Sequence, residues 1–376
     1  MKSFFHTVEF SKKITNEELQ EIYELNSDRI YKKSNGYVIT EFNREGIRIK
    51  IVKRSSNEIK YDKGYLCWCI RVLITPYKVL HNDCEIGRLI DWSEYERVFD
   101  IVENRLIEVL GDHGYLDDWK FEMVDITKDI VTPSHKYTNE IISAIKAVKL
   151  PYGYQAFVPS KEQIEKYDWE DKESYYYSNK KQGISVKVYN KTYEMSTRGK
   201  ADYVENDKGR IRFELSLKRK FINNEGFTDN TKSSVDNRYI KILKEVYSCR
   251  DRLLHDYVVE NLNSGSMLSS TIQEKYIKKV YGTKESRREK MKRLSESFEH
   301  SKKLGEEMKF KSYLYSRKEY NTAINHYEEI NVSPIPLDNS IPYIPSIEDL
   351  FNDQCDKELR SFVEKKTRMK EIWTYE

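Results

Sequence analysis

The chain has 376 residues, 34% of them charged and 13% aromatic, with 29 Tyr against 14 Gly and 8 Pro, and a net charge of +3. That length accommodates two or three domains and a sizeable core. No apolar run approaches the roughly 20 residues of a membrane-spanning helix, so no such helix is expected. The opening MKSFFHTVEFSKK lacks the apolar core of a secretion signal, and Cys67, Cys69, Cys84, Cys249 and Cys355 are scattered and odd in number. Both features predict reduced thiols and a cytoplasmic location. Cys67-Trp-Cys69 is too tight for structural zinc. With no glycine-rich phosphate loop, nucleotide-hydrolysing and dinucleotide-binding classes are disfavoured.

In chain order, Asn16 to Lys33 reads as a helix opened by acids, with Leu19, Ile22, Tyr23 and Ile30 as its apolar positions. Strands are predicted over Tyr37–Phe42, Ile47–Val52 and Tyr65–Ile74. Ser93 caps an amphipathic helix with the stripe Tyr95, Val98, Phe99, Val102, Leu106, Val109 and Leu110, ended by Gly111. Trp119–Thr127 reads as a strand and Thr138–Val148 as a helix. Strand material follows at Tyr152–Phe157 and Ser174–Ser178. Helices are predicted over Val235–Leu262, Thr271–Tyr281, Lys284–Lys309 and Asp356–Ile372. Between the last two lies NVSPIPLDNSIPYIPSI, whose prolines suit neither a helix nor a central strand. These patterns predict an α+β class: a mainly antiparallel central sheet flanked by helices over 1–230. A basic helical DNA-binding region over 231–330 and a proline-rich linker with a C-terminal helix over 331–376 follow.

The most informative stretch is Ile184 to Lys220. It reads as two strands whose alternate residues face opposite ways. Ile184, Val186 and Val188 oppose Ser185, Lys187 and Tyr189; Ile211, Phe213, Leu215 and Leu217 oppose Arg212, Glu214, Ser216 and Lys218. Paired, they bring a phenol, a carboxylate and several cations onto one polar surface. Asp125 sits within the Trp119–Thr127 strand and Asp129 just beyond it. An acid in an apolar strand is costly unless it is paired or binds a cation. Magnesium and manganese favour one or two carboxylates with phosphate oxygens and water. Pairing of Glu214 with Arg212 or Lys187 across the sheet is the structural alternative, and Tyr189 alone is an ordinary strand residue. His81, His113 and His135 are isolated, and no His-x-His pair exists.

Charge is uneven. Asp207 to Lys220 holds six cations and two acids, and Arg287 to Arg293 five cations and one acid. Such runs bind nucleic acid or form a solvated face.

Val-Lys-Val-Tyr189-Asn-Lys-Thr-Tyr-Glu194, followed by Ile-Arg-Phe-Glu214-Leu-Ser-Leu-Lys-Arg219, resembles the trans-acting replication initiators of Gram-positive rolling-circle plasmids, of the staphylococcal tetracycline- and chloramphenicol-resistance type. Asp125 and Asp129 stand at the spacing of that family's aspartate strand, Ile70-Arg71-Val72 resembles a further strand, and Tyr176-Tyr177-Ser178-Asn179-Lys180 stands where it has Tyr-Phe-Gly-x-Arg. The resemblance covers about Arg71 to Lys220. Val124 stands where the family has arginine, and Ser178-Asn179-Lys180 departs from its turn.

The resemblance implies a metal-dependent enzyme that nicks and rejoins one strand of origin DNA through a phosphotyrosine. Tyr189 is the implied nucleophile, with Lys191 and Arg212 expected to assist it and Asp125, Glu214 and Asp129 to hold one Mg²⁺ or Mn²⁺. Lys187, Lys180, Lys218, Arg219, Arg287 and Arg288 are the expected DNA contacts. A host helicase is the implied partner and a homodimer is compatible with the family. The alternatives are a non-enzymatic sequence-specific DNA-binding protein, a phage replication endonuclease or conjugative relaxase with the same chemistry, and a metal nuclease that uses water.

Overall fold

The computed structural model describes residues 3–56, 59, 65–81, 90–157, 174–197, 208–227, 238–262, 265–304 and 316–367. The fold is α+β, built on one ten-stranded antiparallel sheet. β1 (Phe4–Ile14) leads into α1 (Asn16–Leu25). A meander of β2 (Ile30–Lys33), β3 (Gly36–Ile39), β4 (Ile47–Lys53) and β5 (Trp68–Ile74) returns to pair β5 with β1. After α2 (Pro76–His81) and α3 (Trp92–Leu110), β6 (Lys120–Thr132) pairs with the other edge of β1. α4 (His135–Ala147) precedes β7 (Gln155–Ala156), β8 (Ser174–Asn179) and β9 (Ile184–Asn190). The short α5 (Lys191–Thr197) connects toward β10 (Gly209–Lys218), which inserts between β6 and β9. The sheet order is β2-β3-β4-β5-β1-β6-β10-β9-β8-β7.

The helical remainder comprises α6 (Arg219–Asn224), α7 (Arg238–Leu254, extended by a π turn at His255–Val259), α8 (Ser270–Tyr281), α9 (Glu285–Leu304), α10 (Arg317–Glu328), α11 (Ile347–Phe351) and α12 (Lys357–Thr367). It packs on the apolar face of the sheet. Phe10 meets Phe99 of α3 and Tyr239 of α7 with ring centroids 6.0 and 5.3 Å apart, and Phe213 of β10 meets Phe351 of α11 at 4.9 Å. Edge-on aromatic contacts of this kind add to the burial of apolar area. The buried cluster runs from Phe5 to Val363, so apolar contacts continue across both expected boundaries, near 230 and near 330. The polar stretch 228–237 that suggested the first boundary lies outside the described residues. Among the described residues no helix is long and apolar enough to cross a membrane.

Four local expectations change. The helix expected over Asn16 to Lys33 ends at Leu25, and Ile30–Lys33 is a strand. Asn26, fully buried, donates its side-chain amide to Ile22 O at 2.8 Å and to Val109 O of α3 at 2.6 Å, a stop that depends on a partner far along the chain. The segment expected as a proline-rich linker is part of the core. Ile335, Leu337, Ile341 and Tyr343 are buried, and β11 (Met267–Leu268) pairs with β12 (Tyr343–Ile344). Prolines at positions that need no ladder donor leave the intervening apolar residues free to pack. β6 runs on to Thr132, which places Asp129 inside the strand. After Asn190 the chain turns into α5, so Lys191 does not continue the strand face of Tyr189; the Asn190 side chain accepts from Tyr193 N at 3.0 Å and caps the turn.

Candidate active site

The polar face of the central strands is laid out in cross-strand rungs. On β6 and β10, Asp125 lies opposite Ser216, Thr127 opposite Glu214, and Asp129 opposite Arg212. On β9, Lys187 lies opposite Glu214 and Tyr189 opposite Arg212. The antiparallel register thus gathers residues from three strands that are well separated in sequence.

The third rung is an ion pair. Arg212 donates Nε to Asp129 Oδ1 at 2.6 Å and Nη2 to Oδ2 at 2.7 Å, with side chains only 3% and 8% exposed. Arg210 adds a contact at 3.5 Å. Burial opposes the charge on Arg212, but Asp129 overrides it and holds the guanidinium above its usual pKa. Burial likewise opposes ionisation of Asp129, and Arg212 outweighs it, keeping that carboxyl below the ordinary range. Both oxygens of Asp129 therefore accept from arginine, so the carboxylate expected as a metal ligand is engaged in a buried ion pair. Arg212 is held in the same pair.

Tyr189 reaches diagonally from its rung and donates its hydroxyl to Glu214 Oε1 at 2.7 Å. Burial, reinforced by Glu214, raises its phenol well above the usual value, while Arg212 opposes that rise. At neutral pH it is a protonated donor aimed at a carboxylate. Lys191, on the first turn of α5, is paired with Glu194 and lies 5.8 Å from the Tyr189 ring centre. Burial and Arg212 pull its pKa down. Lys187, half exposed, ends 4.0 Å from Glu214 Oε2.

Asp125 accepts a hydrogen bond from Ser216 Oγ. Burial pushes its carboxyl up to about 6, with Ser216 opposing and Glu214 adding. Thr127 Oγ1, on the rung between Asp125 and Asp129, is fully buried and has no hydrogen-bond partner.

The sequence reading passed over His6. A bulge in β1 between Phe5 and Thr7 shifts the register against β6, and bulges re-aim side chains in this way. His6 Nδ1 comes within 3.6 Å of Glu214 Oε1 and 3.1 Å of Thr7 Oγ1, with about a third of the side chain (31%) exposed. Burial, partly countered by Glu214 and assisted by Arg212 and Lys191, lowers its pKa to about 4. The signal in the sequence was a histidine between apolar pairs, Phe4-Phe5 and Val8, in a segment that reads poorly as a strand.

Glu214, His6 with its Nδ1 3.6 Å away, and Asp125 on the neighbouring rung are residue types that could hold a divalent cation, and the unpartnered Thr127 hydroxyl opposite Glu214 is the kind of group such an ion's water would satisfy. The expected DNA-binding cations divide into two sets. Lys180 sits in the β8–β9 turn and Lys218 at the end of β10, both exposed. The Gly183 carbonyl of that turn accepts from Lys218 N at 3.0 Å, which brings the two lysines to one end of the β9–β10 pair. Arg219 faces Glu122 at 3.7 Å. Arg287 and Arg288 belong to the helical part; Arg287 lies against Tyr281 and Glu329, and both are partly buried. A cavity of about 280 Å³ lies on the opposite face of the sheet, where Lys128 donates to Phe351 O at 2.5 Å. No protein-family model matches the chain, and no curated protein matches it.

Two outcomes follow for stability. Asp129→Ala strands a buried guanidinium and is expected to cost about 3–5 kcal/mol in urea unfolding, while adding Arg212→Met recovers much of that loss. Folding favours the protonated form of Asp125, so its contribution is complete below 3.8 and is lost as pH rises through about 6. Asp125→Asn should flatten the stability profile across that window by on the order of 3 kcal/mol.

Proposed function

We propose that this protein nicks and rejoins one strand of DNA at a replication origin, with Tyr189 as nucleophile. The observation that carries the reading is the 2.7 Å hydrogen bond from the Tyr189 hydroxyl to Glu214, a nucleophile already joined to a proton acceptor. As Tyr189 Oη attacks the phosphorus, its proton passes to Glu214 and the bond to the 3′ oxygen breaks. A 5′-phosphotyrosyl link and a free 3′-hydroxyl result. Because that link conserves the bond energy of the phosphodiester, attack by a 3′-hydroxyl reverses it and closes the strand.

The buried cations supply the field this step needs. Arg212 opposes the rise in the tyrosine pKa from a fixed position, and Lys191 lies close to the ring. Preorganised charges of this kind stabilise a developing phenolate without reorganising during the reaction. A divalent cation held by Glu214, with His6 and Asp125 nearby, would neutralise charge on the attacked phosphate. Lys187 stands at the mouth of the site, and Lys180 with Lys218 continues a basic track along β9 and β10. Such a track supports binding of single-stranded DNA through its phosphates. Origin DNA and a host helicase are the partners this reading assigns, in a cytoplasmic setting.

Incubation with a labelled pool of random single-stranded oligonucleotides and Mn²⁺ or Mg²⁺ tests it. The wild-type chain is expected to give an SDS-resistant protein–DNA band, and Tyr189→Phe none. An equal band from both chains removes Tyr189 as nucleophile. DNA binding without any band favours a non-enzymatic DNA-binding protein, and strand cleavage without a band favours a water-using nuclease.

A further inference from the structure

The metal ligands expected from sequence were three carboxylates. One of them, Asp129, is held in a buried ion pair by Arg212, with Arg210 at 3.5 Å. The β1 bulge brings a nitrogen donor near the site: His6 Nδ1 lies 3.6 Å from Glu214 Oε1. We propose that His6 and Glu214 are paired inner ligands of the site's divalent cation, and that the imidazole makes the site select manganese over magnesium. The inference deepens the nicking reading and rests on it for the purpose of the ion.

Two ligands that share an ion at about 2.1–2.2 Å each cannot be more than about 4.4 Å apart, and the His6–Glu214 pair meets that limit. Thr7 Oγ1, 3.1 Å from His6 Nδ1, donates to it in the tautomer that leaves a lone pair on this nitrogen. Thr7 also lies opposite Asp125 in the β1–β6 register, so its hydroxyl can turn to that carboxylate when an ion arrives. The second, independent observation is Thr127 Oγ1, fully buried and unpartnered on the rung with Glu214. It provides a hydrogen-bond position for a water on the ion.

The donor set argues for the choice of ion. Magnesium holds hard oxygen ligands and sheds water reluctantly, whereas imidazole nitrogen favours transition metals. Among the described residues, the only three His, Cys, Asp or Glu side chains with ligand atoms all within 4.8 Å of one another are His255, Asp256 and Glu260, on the π turn. The site on the central sheet is thus a two-ligand site, to be completed by water and a DNA phosphate.

Manganese binding by the full-length chain, read from the loss of the free Mn²⁺ electron paramagnetic resonance signal without DNA, tests the proposal. Wild type is expected to bind Mn²⁺ and to keep it against a tenfold excess of Mg²⁺. His6→Ala should lower Mn²⁺ affinity by roughly tenfold or more and abolish the preference. Circular dichroism establishes that the variant is folded. If it is not, sub-stoichiometric Mn²⁺ added to wild type should broaden the His6 ring proton in NMR spectra. Unchanged binding in folded His6→Ala, equal displacement by Mg²⁺, or broadening confined to His255 would each overturn the proposal. His6-dependent Mn²⁺ binding without a Tyr189 adduct would remove the nicking reading and leave the ion site standing. An adduct whose formation accompanies His6-indifferent Mn²⁺ binding would do the reverse.

Discussion

Arg212 and Asp129 join β10 to β6 through two short hydrogen bonds in a place almost sealed from water. An isolated charge at that depth would be prohibitive, and the pair offsets much of that cost only because the fork geometry satisfies both oxygens. Its presence dictates what surrounds it. Most neighbouring polar side chains find their own partners. Tyr189 finds Glu214, Asp125 finds Ser216, and Lys191 finds Glu194. The result is a polar layer on one face of a sheet whose other face is mainly apolar core.

That layer is an unlikely investment for stability alone, since well-packed apolar residues of similar volume do as well or better. Its arrangement has chemical content. A phenol is held protonated by burial while a carboxylate waits at hydrogen-bond distance and fixed cations oppose the rise in its pKa. Perturbed groups concentrated in one place are a mark of functional sites. The cations that remain half exposed or exposed, Lys187, Lys180 and Lys218, lie along the same strand pair.

Much of this was legible before the fold was known. Alternation in Ile184–Asn190 and Gly209–Lys218 placed Tyr189, Arg212 and Glu214 on one face, and the register that sets Tyr189 opposite Arg212 came only with the fold. The amphipathic stripe from Tyr95 to Leu110 is buried as read. Strand β1 escaped because its bulge puts Phe5 and Val8 on the same face at a spacing of three, which spoils the period of two. With it went His6. The ion pair was hidden for another reason: Asp129 reads as a metal ligand until one knows that β10 extends alongside it, which is a fact of tertiary pairing. Asn26 ends α1 by bonding Val109, also a non-local cause. Composition misled at residues 331–347, where prolines masked a buried apolar series. The helix at Lys191 had a local signal, since Asn190 is a good cap.

The central claim is that the Tyr189 hydroxyl, and no other group, takes the phosphate. Tryptic digestion of a nuclease-trimmed protein–DNA adduct, followed by tandem mass spectrometry, addresses it directly. The account predicts a nucleotide carried through a phosphate on Tyr189, in the peptide Val188–Lys191. A nucleotide on any other residue would contradict it.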